Sequence, residues 1–139
     1  MKCHAVVLFL SVAVLAMGTA CQNKKGPGTV SGLKRVHFDF DSASIKPDMV
    51  AVLDANAKYL TKNKSLNIIV EGHCDERGTN EYNMALGDRR ATTTKNYLIR
   101  QGVATDRLRV VSFGEEQPLE GGHSEASWYM NRRAEFVKQ

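Results

Sequence analysis

Residues 66–91 read LNIIVEGHCDERGTNEYNMALGDRRA, and this stretch decides the fold. Apolar and polar side chains alternate from Leu66 to Val70, which is the pattern of a strand with one buried face. Gly72 ends that strand, and a densely polar loop follows it. From Glu81 onward the apolar residues recur at helical spacing instead. The stretch therefore predicts a strand, a polar loop and a helix in succession.

The helix is the long one of the chain, and it is predicted to run from Glu81 to Gln101. Gly102 follows it in the position where a helix commonly ends on a glycine. The spacing predicts a buried stripe on this helix made of Tyr82, Leu86, Ala91, Tyr97 and Leu98.

The flanking segments add five further elements. Alternation predicts strands over 36–40, 108–113 and 133–137, while helical spacing predicts a helix over 47–62 that stops at Asn63. A short helix is expected around 125–130. The order β-α-β-α-β-β, with crossovers long enough for parallel pairing, predicts an α+β two-layer sandwich with a mixed sheet and helices on one face.

The first twenty residues are expected to be a signal peptide. Lys2 gives a positive start, and residues 5–17 are apolar except for Ser11. That run is far shorter than the ~20 residues a membrane-spanning helix needs. The small residues Gly18 to Ala20 then lead directly into Cys21.

Cys21 is the predicted site of lipidation, because a cysteine directly after small residues resembles a lipobox. Gly18 stands where lipoprotein signals usually carry an aliphatic residue, so ordinary cleavage after Ala20 with an unmodified cysteine is the alternative. Residues 21–32 include three Gly, two Lys, one Pro and one Ser, with only Val30 to bury, and are predicted to be a flexible tether. Residues 33–139 are expected to form one domain.

Composition narrows the class of function. The 139-residue chain has a formal charge of +4, with 19 Lys and Arg interspersed among 15 Asp and Glu, which does not favour nucleic acid as a partner. Of the three cysteines, only Cys74 lies within the predicted domain. A disulfide framework is therefore not expected.

The polar residues concentrate in the loop 72–80 and in the segment 87–90. The helix turns the chain back after the loop, so Arg90 can face the carboxylate of Asp75. From spacing alone, the pair can be either a ligand site or an internal salt bridge that binds nothing. Zinc is not expected, since the second Cys or His pair of a metal motif is missing, and the sequence lacks a nucleophile motif for catalysis. His73 is predicted to be a loop residue bonded to backbone.

The motifs in this chain resemble those of the OmpA-like peptidoglycan-binding domain. The residues that carry the resemblance are Val36-His37-Phe38-Asp39-Phe40-Asp41, Gly72-His73-Cys74-Asp75-Glu76-Arg77-Gly78, Tyr82-Asn83, Leu86-Gly87-Asp88-Arg89-Arg90-Ala91 and Asn131-Arg132-Arg133. The sequence 75–79 together with a lipobox is similar to the branch formed by the peptidoglycan-associated lipoproteins. The family fold is a βαβαβ sandwich with a final strand.

The resemblance implies a ligand and a set of site residues. The ligand of the family is diaminopimelate, a diamino acid of the peptidoglycan peptide stem, whose exposed end carries both an ammonium and a carboxylate. The resemblance implies that Asp75 binds the ammonium and that Arg90 binds the carboxylate bidentately through its guanidinium. It places five more residues around the same pocket, namely Phe40, Asp41, Arg77, Thr79 and Leu86, and gives Arg132 a supporting role.

The resemblance also implies a setting in the cell. It predicts a non-enzymatic protein without a cofactor, lipid-anchored in the outer membrane with its domain in the periplasm, which tethers that membrane to peptidoglycan. TolB and TolA are the protein partners it implies. The alternative is a lipoprotein of the same fold that serves mainly as a docking partner for another envelope complex.

Overall fold

A computed structural model of the chain describes residues 29–139, and all structural statements refer to this part. The four strands are β1 (Val36–His37), β2 (Ile68–His73), β3 (Leu108–Gly114) and β4 (Arg133–Lys138). The helices are α1 (Pro47–Lys62), α2 (Asn80–Arg100) and α3 (Glu125–Asn131), with one 3-10 turn at Thr105–Arg107. Every element predicted from the sequence is present.

The sheet is mixed, and its strand order is β1-β4-β2-β3. β2 and β3 are parallel, with Val70 opposite Val110, whereas β4 is antiparallel to both β1 and β2. The last strand of the chain therefore lies inside the sheet and is buried almost throughout. The predicted α+β class with a mixed sheet is confirmed.

The core lies between the sheet and the two long helices. α2 packs on β2 and β3, and α1 packs on β1 and on α2. Side chains of alternate strand residues meet those of the helices, as expected for a two-layer sandwich. The largest apolar side chains that are fully buried are Val36, Phe38, Leu53, Leu60, Ile68, Val70, Leu98 and Phe136.

β1 is shorter than predicted, because it pairs with β4 only through Val36 and His37. Beyond it the Phe38 N–H still donates to the Arg132 carbonyl oxygen at 3.0 Å, but the chain then leaves the sheet. Phe40 is 57% exposed. The strand ends early because the Asp39 carbonyl oxygen accepts a hydrogen bond from the Arg90 side chain rather than from a neighbouring strand.

The predicted buried stripe of α2 is wrong at Tyr82, which is 45% exposed. Leu86, Ala91 and Leu98 are buried as expected. The same face of the helix also buries three polar side chains that the apolar pattern did not include: Asn83, Arg90 and Thr94.

The N-terminal boundary of the folded part lies before residue 33. Thr29 pairs with Val137, the Val30 N–H donates to the Phe136 carbonyl oxygen at 3.1 Å, and the Tyr59 hydroxyl donates to the Ser31 carbonyl oxygen at 2.9 Å. Residues 29–32 were expected in the tether, but these hydrogen bonds make them part of the fold. The predicted signal peptide and the predicted lipid site at Cys21 lie outside the described residues.

None of the described helices is both long enough and apolar enough to span a membrane.

Candidate ligand-binding site

A close contact between two glycines brings α2 against the end of β2. A Cβ atom on Gly72 would lie 1.8 Å from the backbone oxygen of Gly87, and one on Gly87 would lie 2.3 Å from Ser112 Oγ. Glycine at both positions therefore allows strand and helix to approach more closely than side chains would permit. This approach places Leu86 and Arg90 beside the loop that follows β2.

A pocket of about 230 Å³ opens at that point. Its floor and walls come from the β1–α1 loop, the loop after β2, and the first turns of α2. Ten residues line it: Phe40, Asp41, Cys74, Asp75, Arg77, Gly78, Tyr82, Asn83, Leu86 and Arg90. Six of these were predicted, while Cys74, Gly78, Tyr82 and Asn83 were not. Thr79 was predicted as a lining residue but is not one.

Arg90 is a buried cation, with 1% of its surface exposed. Its guanidinium donates three hydrogen bonds to carbonyl oxygens, from Nε to Ser42 at 2.8 Å, from Nη1 to His73 at 2.9 Å and from Nη2 to Asp39 at 3.0 Å. Burial lowers the pKa of Arg90, but an arginine side chain stays protonated in proteins. All three acceptors are neutral, so the charge lacks a carboxylate in direct contact among the described residues.

Asp75 is a buried anion, 3% exposed, held by two arginines. Its Oδ1 accepts from the Arg77 backbone N–H at 3.1 Å and from Arg77 Nε at 3.2 Å. Its Oδ2 accepts from Arg77 Nη2 at 2.8 Å and from Arg132 Nη1 at 3.2 Å. Burial alone would raise the pKa of Asp75, but the hydrogen bonds from Arg77 and Arg132 outweigh it and hold the pKa below its usual value.

The alternative of an internal salt bridge between Asp75 and Arg90 is wrong. Within residues 29–139 the carboxylate pairs with Arg77 and Arg132, and the Arg90 guanidinium pairs with backbone carbonyls. Both charges nevertheless line the same pocket. The site therefore presents an anion and a cation side by side without joining them.

Arg77 closes one side of the pocket between two aromatic rings. Its Cζ lies 3.9 Å from the centre of the Phe40 ring and 4.1 Å from that of Trp128. Arg132 lies behind Asp75, where its Nε donates to the Phe38 carbonyl oxygen at 3.0 Å and its Nη2 pairs with Glu125. Since Arg132 is almost wholly buried, it is placed to support Asp75 rather than to meet a ligand.

Two polar residues fix the loop onto α2. The Thr79 hydroxyl caps the helix by accepting from the Tyr82 N–H at 3.2 Å. Asn83 Nδ2 lies within hydrogen-bond distance of the Asp75 and Arg77 carbonyls, at 3.2 Å each, and of Glu115 Oε2, at 2.7 Å. Asn83 could have been found from the sequence, because helical spacing puts it on the face of Leu86 and Arg90.

Asp41 and Tyr82 form the outer edge of the pocket. Asp41 has a φ of +51°, in the left-handed region that few residues other than glycine and asparagine or aspartate adopt. The Tyr82 hydroxyl donates to the Asp41 carboxylate, which raises the pKa of the tyrosine. The exposure of Tyr82 thus has a structural cause, since its ring spans the outside of the site.

His73 and Cys74 lie beneath the pocket. His73 was expected in the loop and bonded to backbone, but it is the last residue of β2, is fully buried, and neither ring nitrogen has a hydrogen-bond partner in the described part of the chain. Burial lowers the pKa of His73 and raises that of the Cys74 thiol to about 11. Over residues 29–139, no three His, Cys, Asp or Glu side chains group as metal ligands would.

Comparison with known proteins shows the family to which the chain belongs. The family model described as "OmpA family" matches residues 37–132. A peptidoglycan-associated lipoprotein of Brucella melitensis is 37% identical over 150 aligned positions, which cover 96% of this chain and 89% of that protein. The chain belongs to the OmpA family, in its branch of peptidoglycan-associated lipoproteins.

Two further relatives support this placement. A peptidoglycan-associated lipoprotein of Pseudomonas aeruginosa is 49% identical over 102 residues, or 73% of this chain, and the chain spans only 60% of that protein's length. The crystal structure of the peptidoglycan-associated lipoprotein from Burkholderia pseudomallei superposes with a TM-score of 0.73 at 44% identity. The matched region covers 76% of this chain and 90% of the crystallised chain. The OmpA-like fold is thereby confirmed.

Proposed function

We propose that this protein binds peptidoglycan non-covalently, by holding the zwitterionic end of a diaminopimelate residue between Asp75 and Arg90. The single observation that carries the proposal is that one pocket contains a buried carboxylate and a buried guanidinium that are not paired with each other. A ligand with an ammonium and a carboxylate on one carbon complements such a pair, because each charge meets an opposite one.

The hydrogen-bond inventory of Arg90 supports this assignment. A guanidinium has five N–H donors, and carbonyl oxygens occupy three of them here. The remaining donors can take a ligand carboxylate, while the three carbonyls keep the side chain in place. Arg90 thus binds from a rigid position, which reduces the loss of side-chain entropy on binding.

The other lining residues fit an aliphatic diamino acid. Phe40 and Leu86 offer apolar surface to its methylene chain, and Asp41 and Arg77 line the pocket beside them. Thr79 contributes indirectly, because it caps the helix that carries Tyr82 and Leu86. Arg132 supports the site by fixing the Asp75 carboxylate.

The pocket and the N-terminal end of the described chain lie at opposite ends of the sheet, an arrangement that suits a membrane-anchored protein that binds the cell wall. Thr29 pairs with Val137, which lies opposite Ile69 at the start of β2, whereas the pocket opens after His73 at the end of β2. His73 lies four positions beyond Ile69 along the strand, a distance of roughly 13 Å. Thr29, the first described residue, therefore lies at one end of the sheet, and the pocket lies at the other.

Co-sedimentation with purified sacculi tests the proposal. We expect the wild-type protein to pellet with sacculi and Asp75→Asn to remain soluble, since the ammonium loses its counter-charge. Asp54→Asn is the matched control, because that aspartate also accepts a side-chain hydrogen bond but lies on α1. Equal pelleting of all three proteins, with folding verified by melting, would place wall binding elsewhere.

We extend the proposal to the setting of the protein in the envelope: lipidation at Cys21, residence in the outer membrane, and association with TolB and TolA as a non-enzymatic component. Membership of the peptidoglycan-associated lipoproteins supports this part of the proposal. Mass spectrometry of wild type and Cys21→Ala tests the lipid, and a pull-down of purified TolB tests the partner. Release of soluble wall fragments from sacculi would contradict a purely binding role.

A further inference from the structure

The side chain of Arg77 occupies the place on Asp75 that a ligand ammonium needs. The two carboxylate oxygens accept four hydrogen bonds, three from Arg77 and one from Arg132. A carboxylate offers about four acceptor positions. While Arg77 holds this position, Asp75 therefore has no acceptor position left for an incoming cation.

Of the two arginines, Arg77 is the one that can leave. Its side chain is 31% exposed, whereas that of Arg132 is 4% exposed and also binds the Phe38 carbonyl. Arg77 Nη2 already lies 3.9 Å from Glu125 Oε2, so a second carboxylate is at hand when the contact with Asp75 breaks. The rings of Phe40 and Trp128 can hold the flat guanidinium during such a shift.

We propose that the Arg77 guanidinium is an internal competitor for Asp75, which the ammonium of the ligand must displace. This inference rests on the proposed function, because it takes the Asp75 carboxylate as the ammonium site. Its consequence is a lower affinity of Asp75 for every cationic ligand. An amine alone only exchanges one cation on Asp75 for another, whereas a zwitterion also gains the contact of its carboxylate with Arg90. The cost of displacing Arg77 is common to both ligands, so a simple amine is left with little net gain, while a zwitterion still binds through Arg90.

Calorimetric titration of the purified protein with diaminopimelate and with pentane-1,5-diamine, which has the same two amines but no carboxylate, tests this inference. We expect Arg77→Gln to bind diaminopimelate about tenfold more tightly than wild type, a change of about 1.4 kcal/mol. We also expect its affinity for pentane-1,5-diamine to rise by a similar factor, because both ligands must displace Arg77 in the wild type. Arg89→Gln is the matched control, since Arg89 is an exposed arginine of α2 outside this pocket.

Two additional measurements separate competition from a structural role. The gain from Arg77→Gln should vanish in an Asp75→Asn background, because the two cations then have no shared carboxylate to compete for. In the wild type, the NMR signal of the Arg77 Nε–H should shift when diaminopimelate is added, while the corresponding Arg132 signal stays in place.

The outcomes distinguish this inference from the function on which it rests. Unchanged or weaker binding by Arg77→Gln, in a protein that melts like wild type, overturns the competition while leaving wall binding intact. An Arg77 signal that does not move also overturns it. If wild type and Asp75→Asn bind diaminopimelate equally or not at all, the proposed function falls, and this inference falls with it.

Discussion

Replacing Arg90 by alanine should destabilise the whole domain, in addition to weakening ligand binding. The substitution removes the donors of three carbonyl oxygens on Asp39, Ser42 and His73. His73 is fully buried, so its unsatisfied carbonyl costs about 1–3 kcal/mol. Water can reach the carbonyls of the more exposed loop, where each lost bond costs about 0.5–1.5 kcal/mol. Together these losses come to about 2–6 kcal/mol.

Urea unfolding followed by fluorescence measures this loss, because Trp128 is the single tryptophan of the chain. A loss of this size is a large share of the ~5–15 kcal/mol by which domains are stable. Arg89→Ala supplies the control, since Arg89 is exposed and its one aromatic contact within residues 29–139 is a 5.8 Å approach to Tyr82. Its free energy of unfolding should stay within about 0.5 kcal/mol of wild type.

The conservative variant Arg90→Lys separates the charge of the side chain from its hydrogen-bonding geometry. Lysine keeps the charge but lacks the planar fork that reaches three carbonyls at once, so it should recover only part of the loss. An Arg90→Ala protein within about 1 kcal/mol of wild type would refute the structural role given to these three hydrogen bonds.

Three further predictions concern packing, the pocket edge and pH. Gly72→Ala should lower the free energy of unfolding by about 3 kcal/mol or more, because its Cβ would lie 1.8 Å from a backbone oxygen, whereas Gly121→Ala has open space and should be neutral in the same urea assay. Tyr82→Phe should weaken diaminopimelate binding severalfold in calorimetry by freeing Asp41, while Tyr97→Phe, which loses a similar bond to Asp54, should not; equal affinities would contradict this. Arg35 and Arg133 help hold the pKa of buried Glu135 below its usual 4.5. The ionised Glu135 carboxylate therefore stabilises the fold above pH 4.5, and this stabilisation is lost as the pH falls through the lower pKa of the folded state. Glu135→Gln should reduce the dependence of the free energy of unfolding on pH in the acid range. An unchanged slope would disprove this.

The sequence predicted the elements and the fold class because periodicity is a local property. The alternation of 66–70 and the helical spacing of 81–101 each report which face of one segment is buried. They carry no information about which strands become neighbours. The insertion of β4 between β1 and β2 therefore could not be read from the pattern.

The sequence predicted most of the charged residues that line the pocket, but not which of them form ion pairs with each other. Motif resemblance brought Asp75, Arg90 and Arg77 to one place, and all three line the pocket. Which arginine meets which acceptor depends on the closeness of Gly72 and Gly87 and on the early end of β1. These are tertiary contacts between distant segments, so spacing along the chain could not show that Asp75 binds Arg77 and Arg132 rather than Arg90.

The position of His73 also could not be predicted from the sequence. His73 was expected to be a loop residue bonded to backbone, but strand β2 continues one residue beyond Gly72 and buries the ring against Phe113. The ring centroids lie 5.5 Å apart. Only the register of β2 with β3, with its irregularity at Gly72 and His73, determines this position.

The most direct test of the central claim is a crystal structure of the protein with diaminopimelate bound. We predict one ligand in the pocket between α2 and the loop after β2, with its carboxylate on Arg90 and its ammonium on Asp75. Contacts at both residues would establish the zwitterion site. A ligand bound elsewhere, or one that leaves Asp75 paired with Arg77 as in the free protein, would contradict it.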